Sequence, residues 1–469
     1  MSDSLVRASA VEQRALLETR AISAVELCEA HLARIERLDP LVNAIVTRTP
    51  ELALERAAAS DARRSSGAPT GLLEGLPVAH KDLQDTEGVR TTYGSPIFAD
   101  NFPAADSLPV QRMRKAGAVM LGKTNTPEFG AGSHTFNAVF GTTRNPWDPS
   151  RTCGGSSGGS AVALACHMVA LADGSDLGGS LRNPAAFCGV VGLRPSPGRV
   201  PSWPTDALYA PFAVDGPMGR TVADVALLLD ALVGDDPRTP LALPAPEVPF
   251  RAIAERDPAS IRLAFAPSLG GLPIEAAIAR GVARAVAALA AAGLQVELAE
   301  PDLADADGIF EVERALGFAS LRGELVEHGA QLKQTVRWNI ERGLELSGAD
   351  VADARFLHAR LCARVDRFMG GFDVLACPVT QVMPFPVELE YPELIEGTRM
   401  QSYIEWLRVC SRITATGLPA IAIPAGFSVD GLPIGLQLVG RRRGEHGLLA
   451  VARVAEAILT DARVPAVLR

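Results

Sequence analysis

The stretch CGGSSGGSAVALACHMVALADGSDLGGSLR, residues 153–182, sets two glycine–serine clusters on either side of an apolar run. From Ala161 to Ala172 only His167 interrupts the apolar character, and residues 160–172 predict a wholly buried helix. Glycine and polar residues this dense beside a buried element are costly unless the backbone must approach something closely. Consecutive glycines before Ser180 let successive N–H groups converge on one point, as an oxyanion hole demands. A serine in such a place needs a base. The candidate in a conspicuous setting is Lys81, at the end of the strand-like run GLPVAHK (75–81), where burial would lower its pKa toward neutrality.

Composition bounds the rest. A chain of 469 residues with 48% hydrophobic and 21% charged residues buries a large core, which excludes disordered, collagenous and disulfide-stapled miniprotein classes. Net charge is −9, which argues against a non-specific nucleic-acid binder. Gly (43) and Pro (34) make about 16% of the chain against a typical ~12%, with no low-complexity tract to hold them. Charges are scattered through the first twenty residues with no apolar core to them, so a signal peptide is not expected. The longest apolar stretch, 161–172, is too short to span a bilayer. Seven cysteines (28, 153, 166, 188, 362, 377 and 410) are an odd number without a C-x-x-C pair, read as small buried hydrophobes. A soluble, cytoplasmic protein is expected, with no membrane partner.

Along the chain, Ser23-Ala-Val-Glu26 is a capping box, and Val25, Cys28, Leu32 and Ile35 repeat at helical spacing up to Asp39-Pro40. Residues 110–115 read as helix, 118–121 as a buried strand, and 235–258, with six prolines, as a loop or linker. Residues 261–265 restart a strand and 274–292 form an Ala-rich helix. Alternating strand and helix patterns predict an α/β fold with one sheet covered on both faces. The length alone, at ~150 residues per domain, would suggest about three domains.

Two short motifs mislead. Residues 117–124, GAVMLGKT, fit the phosphate-loop pattern G-x-x-x-x-G-K-[ST]. A phosphate cradle needs a strand before the first glycine and a helix N-terminus after it, whereas here a helical pattern precedes and the middle residues are strand-like. Residues 154–158, GGSSG, fit the hydrolase elbow G-x-S-x-G, but the preceding PSRTC is no hydrophobic strand. His167, His328, His358 and His446 offer no base in a suggestive context, His80 is read as a packed or solvated neighbour of Lys81, and Cys153 lacks a base of its own. Trp203, Tyr209, Phe212, Trp338 and Trp406 are read as core or lid by default.

The two clusters belong to a longer pattern. GLPVAHKDL (75–83), GKTNTPEFG (122–130), FGTTRNPWDP (140–149) and CGGSSGGSA (153–161) continue through GSDLGGSLRNPAAFCGVVGLRPSPGRVP (174–201), DGPMGRTVADVALLLD (215–230) and TGLPAIAIPAGFSVDGLPIGLQLVG (416–440). Over nearly the whole chain the sequence resembles the amidase signature family, including 75 residues from Lys81 to Ser156 and 24 from Ser156 to Ser180.

The resemblance implies a single domain over 1–469 in that family's fold, a central mixed sheet covered by helices on both faces. Its parts would be an N-terminal helical segment (about 1–65), a catalytic core (about 66–235), a variable pocket region (about 260–400) and a C-terminal return (about 401–469). It implies Ser180 as nucleophile, Ser156 as the bridging serine with a cis peptide bond, and Lys81 as base. The oxyanion hole would use N–H groups of Leu177, Gly178 and Gly179, with Ser157, Asp176 and Arg182 holding the loops. Gly130 and Gly132 would border the acyl site on positional grounds. No metal and no cofactor are implied. Cys153, Leu177 and Leu181 depart from the commoner proline, threonine and isoleucine and leave the triad intact.

The expected activity is hydrolysis of a linear carboxylic amide, with aryl amides, esters and carbamates as further substrates, through an acyl-serine intermediate. The alternatives are the glutamine-hydrolysing component of a tRNA-dependent amidotransferase and a non-catalytic binding protein. The expected partner is a small-molecule amide and not nucleic acid; a homodimer stays open.

Overall fold

The structure, a computed structural model, describes residues 2–205, 207–210, 212–460 and 463–468. Eleven strands build one sheet: β1 (Ile45–Arg48), β2 (Pro77–Lys81), β3 (Val119–Thr124), β4 (Leu171–Asp176), β5 (Val191–Arg194), β6 (Val214–Gly219), β7 (Arg262–Phe265), β8 (Gln295–Leu298), β9 (Val374–Pro378), β10 (Ala420–Phe427) and β11 (Pro433–Val439). Their order is β1-β3-β2-β4-β6-β5-β10-β11-β9-β7-β8. β2 runs parallel to both β3 and β4, while β4–β6, β6–β5, β5–β10 and β10–β11 are antiparallel. The sheet is therefore mixed, as expected.

Buried apolar residues from position 10 to position 455 form one core around this sheet. β2 is buried at every position, which is why its run carries no period-2 alternation. The helix Ala24–Val42 starts at the Ser23 capping box and buries Leu27, Cys28, Ile35 and Leu38. It passes through Pro40, near its end, and stops at Asn43 in the left-handed conformation (φ 54°).

Two sequence readings need correction. The helix expected over 160–172 is Gly158–Ala165, and the apolar run then turns at His167 (φ 56°) and becomes strand β4. Periodicity cannot separate the two because helix and central strand are both enclosed in the core. The strand expected over 118–121 continues as β3 to Thr124 through Gly122 and Lys123. A Cβ on Gly122 would lie 2.3 Å from the Thr47 carbonyl oxygen, so this glycine permits close approach of β1 and leaves no bent loop for phosphate.

The C-terminal ends of β2 and β4 lie side by side, with the loop before helix Gly158–Ala165 against them. The loop after β4 leads into helix Arg182–Cys188. Helices Ala306–Phe318 and Gly348–Met369 pack beside that loop through a separate apolar cluster that Leu177 joins, while helix Gln334–Leu344 puts Val336 and Ile340 into another cluster with Ala131 and Phe318.

Candidate active site

Lys81 ends β2 and is fully buried. Its Nζ lies 2.6 Å from Ser156 Oγ, 3.0 Å from Ser157 Oγ and 3.0 Å from Ser175 Oγ. Its backbone N–H donates to Asp173 Oδ1 at 2.7 Å, and the other oxygen of Asp173 meets His80 Nδ1 at 2.5 Å. His80 is thus a packed neighbour. Burial pulls the Lys81 amine down to about 7, against the opposing pull of the Asp215, Asp176 and Asp173 charges.

The Gly155–Ser156 peptide is cis. Ser133 Oγ donates to the Gly155 carbonyl at 2.6 Å and Thr135 Oγ1 to the Gly154 carbonyl at 2.8 Å. Asn183 in turn donates to Ser133 Oγ at 3.1 Å. The glycines here are space requirements: a Cβ on Gly158 would sit 2.2 Å from Thr135 Oγ1.

The two serine loops touch through the Ser157 N–H, which donates to the Ser180 carbonyl at 3.2 Å. Ser180 is half-buried, and its hydroxyl makes no hydrogen bond among the described residues. Ser156 and Lys81 are therefore paired, while Ser180 is joined to the neighbouring Ser157 through its backbone carbonyl.

Asp176 organises the second loop. Its carboxylate accepts from the Gly179 N–H at 2.9 Å and the Leu181 N–H at 3.1 Å, and takes a two-pronged contact from Arg182 at 2.9 and 3.0 Å. Burial alone would push this carboxyl up, but the guanidiniums of Arg182 and Arg194 hold it well below the usual carboxylate range. Arg182 also donates to Gln437 Oε1, Thr414 Oγ1 and the Cys410 carbonyl, tying the loop to the C-terminal part of the chain. The Gly179 amide, expected in the oxyanion hole, is already engaged by Asp176, whereas the N–H groups of Gly178 and Ser180 have no acceptor among the described residues.

Gly130 lies beside Ser156: a Cβ on it would lie 3.3 Å from Ser156 Oγ. A Cβ on Gly132 would lie 3.8 Å from Lys333 Nζ. Trp203 lines a cavity beside the site, while Phe212 and Trp406 are in the apolar interior and Tyr209 is exposed. Sequence reading missed Ser175, Ser133, Thr135 and Asp173. Polar residues alternating at 133 and 135, and at 173 and 175, were the available signal, since alternate strand-like residues share a face.

The Amidase family model matches residues 26–449. An acylamidase of Rhodococcus erythropolis is 34% identical over 455 residues, covering 96% of this chain and 95% of that protein. The A component of the glutamyl-tRNA(Gln) amidotransferase of Methylococcus capsulatus is 36% identical, covering 98% of this chain and 99% of that protein. Among solved structures, a bacterial aryl acylamidase of the amidase signature family superposes with a TM-score of 0.89 at 29% identity, covering 96% of each chain. With the family model spanning most of its length and the fold shared throughout, the chain belongs to the amidase signature family of serine amide hydrolases.

Proposed function

We propose that this protein cleaves a linear carboxylic amide through an acyl-Ser180 intermediate, with Lys81 as base and Ser156 as proton relay. The observation that carries this reading is a fully buried lysine amine ringed by three hydroxyls at 2.6–3.0 Å. A neutral lysine amine has two N–H donors and one lone pair, so it can accept the Ser156 proton while donating to Ser157 and Ser175.

In the first half-reaction Ser156 passes its proton to Lys81 and takes the one leaving Ser180 Oγ, which attacks the substrate carbonyl carbon. The oxyanion meets the N–H groups of the 177–180 loop, with the Gly179 amide shared with Asp176 and those of Gly178 and Ser180 free to converge. Collapse breaks the C–N bond, and Ser156 protonates the departing nitrogen while Lys81 returns its proton to Ser156. Water then attacks the acyl-enzyme, giving a carboxylic acid and restoring Ser180. Asp176, Arg182 and Ser157 position the loops.

A fluorophosphonate probe should label Ser180. Labelling at another residue, or none on protein that turns over an amide, would overturn the assignment. The likeness to the amidotransferase component favours a second reading, glutamine hydrolysis for ammonia delivery. Copurification with a second protein and preference for glutamine over aryl amides would replace the first reading with it. The substrate is a small molecule, and esters and carbamates fall within the same chemistry. Seven free thiols, six of them buried, fit a reducing compartment such as the cytoplasm.

A further inference from the structure

Beside the lysine cluster lies a cavity of about 590 Å³ whose inner end is Ser175. Directly opposite Ser175 in the β4–β6 register is Asp215. Opposed residues share a sheet face with Cβ atoms roughly 5 Å apart, so Asp215 stands one side chain beyond the Lys81 amine. Only 8% of Asp215 is exposed. Its oxygens accept from Gln84 Nε2 at 2.7 Å and Ser202 Oγ at 2.5 Å, both neutral donors on the cavity wall. Each oxygen keeps a further lone-pair position.

No Lys, Arg or His is within ion-pair distance of Asp215, and none lines the cavity, among the described residues. Arg238, over the Trp203 ring at 5.9 Å, is held by Asp236. The nearest cation-forming group is the Lys81 amine, which the Asp215 charge already pulls on. With Lys81 neutral, as a base must be, the buried carboxylate has no counter-charge, which points to a cation that arrives from outside. Asp85 and Glu324 add two more carboxylates to the lining. The remaining walls suit the same guest: Tyr93, Phe98 and Phe129 pack edge to face in sequence at 5.1 and 6.0 Å, with Trp203 on the same cavity. Aromatic faces attract organic cations.

We propose that this cavity receives the amine half of the substrate and selects amides whose amine half carries a positive charge, with Asp215 as the anchor. The inference rests on the hydrolytic reading above. Ser156, which would protonate the departing nitrogen, shares the Lys81 amine with Ser175 at the cavity's inner end. The acyl carbon belongs instead at the 177–180 loop, where Phe310 packs within 3.0 Å of the position a Gly178 Cβ would take.

The test uses 4-(aminomethyl)aniline and its near-isostere 4-ethylaniline, titrated calorimetrically into the full chain at low salt, so that no turnover is required. The cationic amine should bind about tenfold more tightly, as hydrogen bonds to a charged group allow. Asp215→Asn should bring the two amines within about threefold of each other. Ala207→Lys, on the exposed rim, should cut the preference by charge alone and guards against misfolding of the first variant. Equal affinity of the two amines for the wild type, or a preference unchanged in both variants, would overturn the proposal. Fluorophosphonate labelling of Ser180 in the same preparation separates the two readings. Labelled Ser180 with equal binding sinks the cavity assignment alone, and unlabelled Ser180 with selective binding sinks the catalytic assignment alone.

Discussion

A lysine in water is protonated at neutral pH and useless as a base. Lys81 escapes this because β2 delivers its amine to a fully enclosed site, where burial lowers its pKa to about 7. In the proposed mechanism the neutral form is the active one, so kcat/KM should hold above about pH 7 and fall about tenfold per unit below it. A profile that stays flat to pH 5 would remove Lys81 as the base. The same shift is a stability statement. Between about pH 7 and the ordinary lysine value of 10.5 the native state binds fewer protons here than the unfolded chain. Stability from this group therefore rises with pH across that window, by roughly 5 kcal/mol in the limit of 1.36 kcal/mol per unit. Lys81→Met should lose turnover by about 10³-fold or more and lose that slope. Urea midpoints of both proteins at pH 7 and pH 9.5 check it; parallel pH dependence would contradict the buried neutral amine.

At the scale of elements, the site is made where two strand ends and two loops meet, and Asp176 with Arg182 joins them. Replacing one member of a fully buried, hydrogen-bonded pair leaves the other charge uncompensated, at a cost of about 3–5 kcal/mol. Asp176→Asn should therefore lower stability by that order at pH 7, and should also weaken catalysis because the Gly179 and Leu181 amides use different carboxylate oxygens and one of them would face an NH2 group instead. The native pKa of Asp176 is depressed, so its stabilisation is present above the unfolded carboxyl value near 4 and lost only as pH falls through the native value. Denaturant unfolding of wild type and variant should accordingly differ by the same amount at pH 5 and pH 8. A difference confined to the higher pH would show that Asp176 is not held by Arg182 in this way.

Over the whole molecule, the sheet is stitched from distant parts of the chain: β5 pairs with β10, and β6 joins β5 to β4. The proline-rich loop over 235–258 therefore connects two stretches that share one sheet and one core, and Phe250 within it is buried against His446. Cleavage after the exposed Glu247 by a glutamyl endopeptidase should leave both fragments eluting as one particle in native size-exclusion. Separation into two folded species would show that the loop is a domain linker.

Much of this was legible in the residues themselves. The glycines around the two serine clusters and the capping box at Ser23 follow from local chemistry, because backbone freedom, N–H convergence and end capping act over a few residues; the roles expected of Lys81, Ser156 and Ser180 came from the family resemblance and its spacing. The boundary between helix Gly158–Ala165 and β4 was not legible, because an element enclosed on all sides loses the periodicity that marks its type. Nor could the residues alone say that Ser175, Ser133, Thr135 and Asp215 converge on the site. Those pairings depend on strand register and on which loops the sheet brings together. Sequence determined which groups are candidates for the chemistry and the backbone freedom beside them; tertiary structure alone decided how far Lys81 is desolvated and which charges and walls surround it, because burial and cross-strand contact are properties of the assembled core.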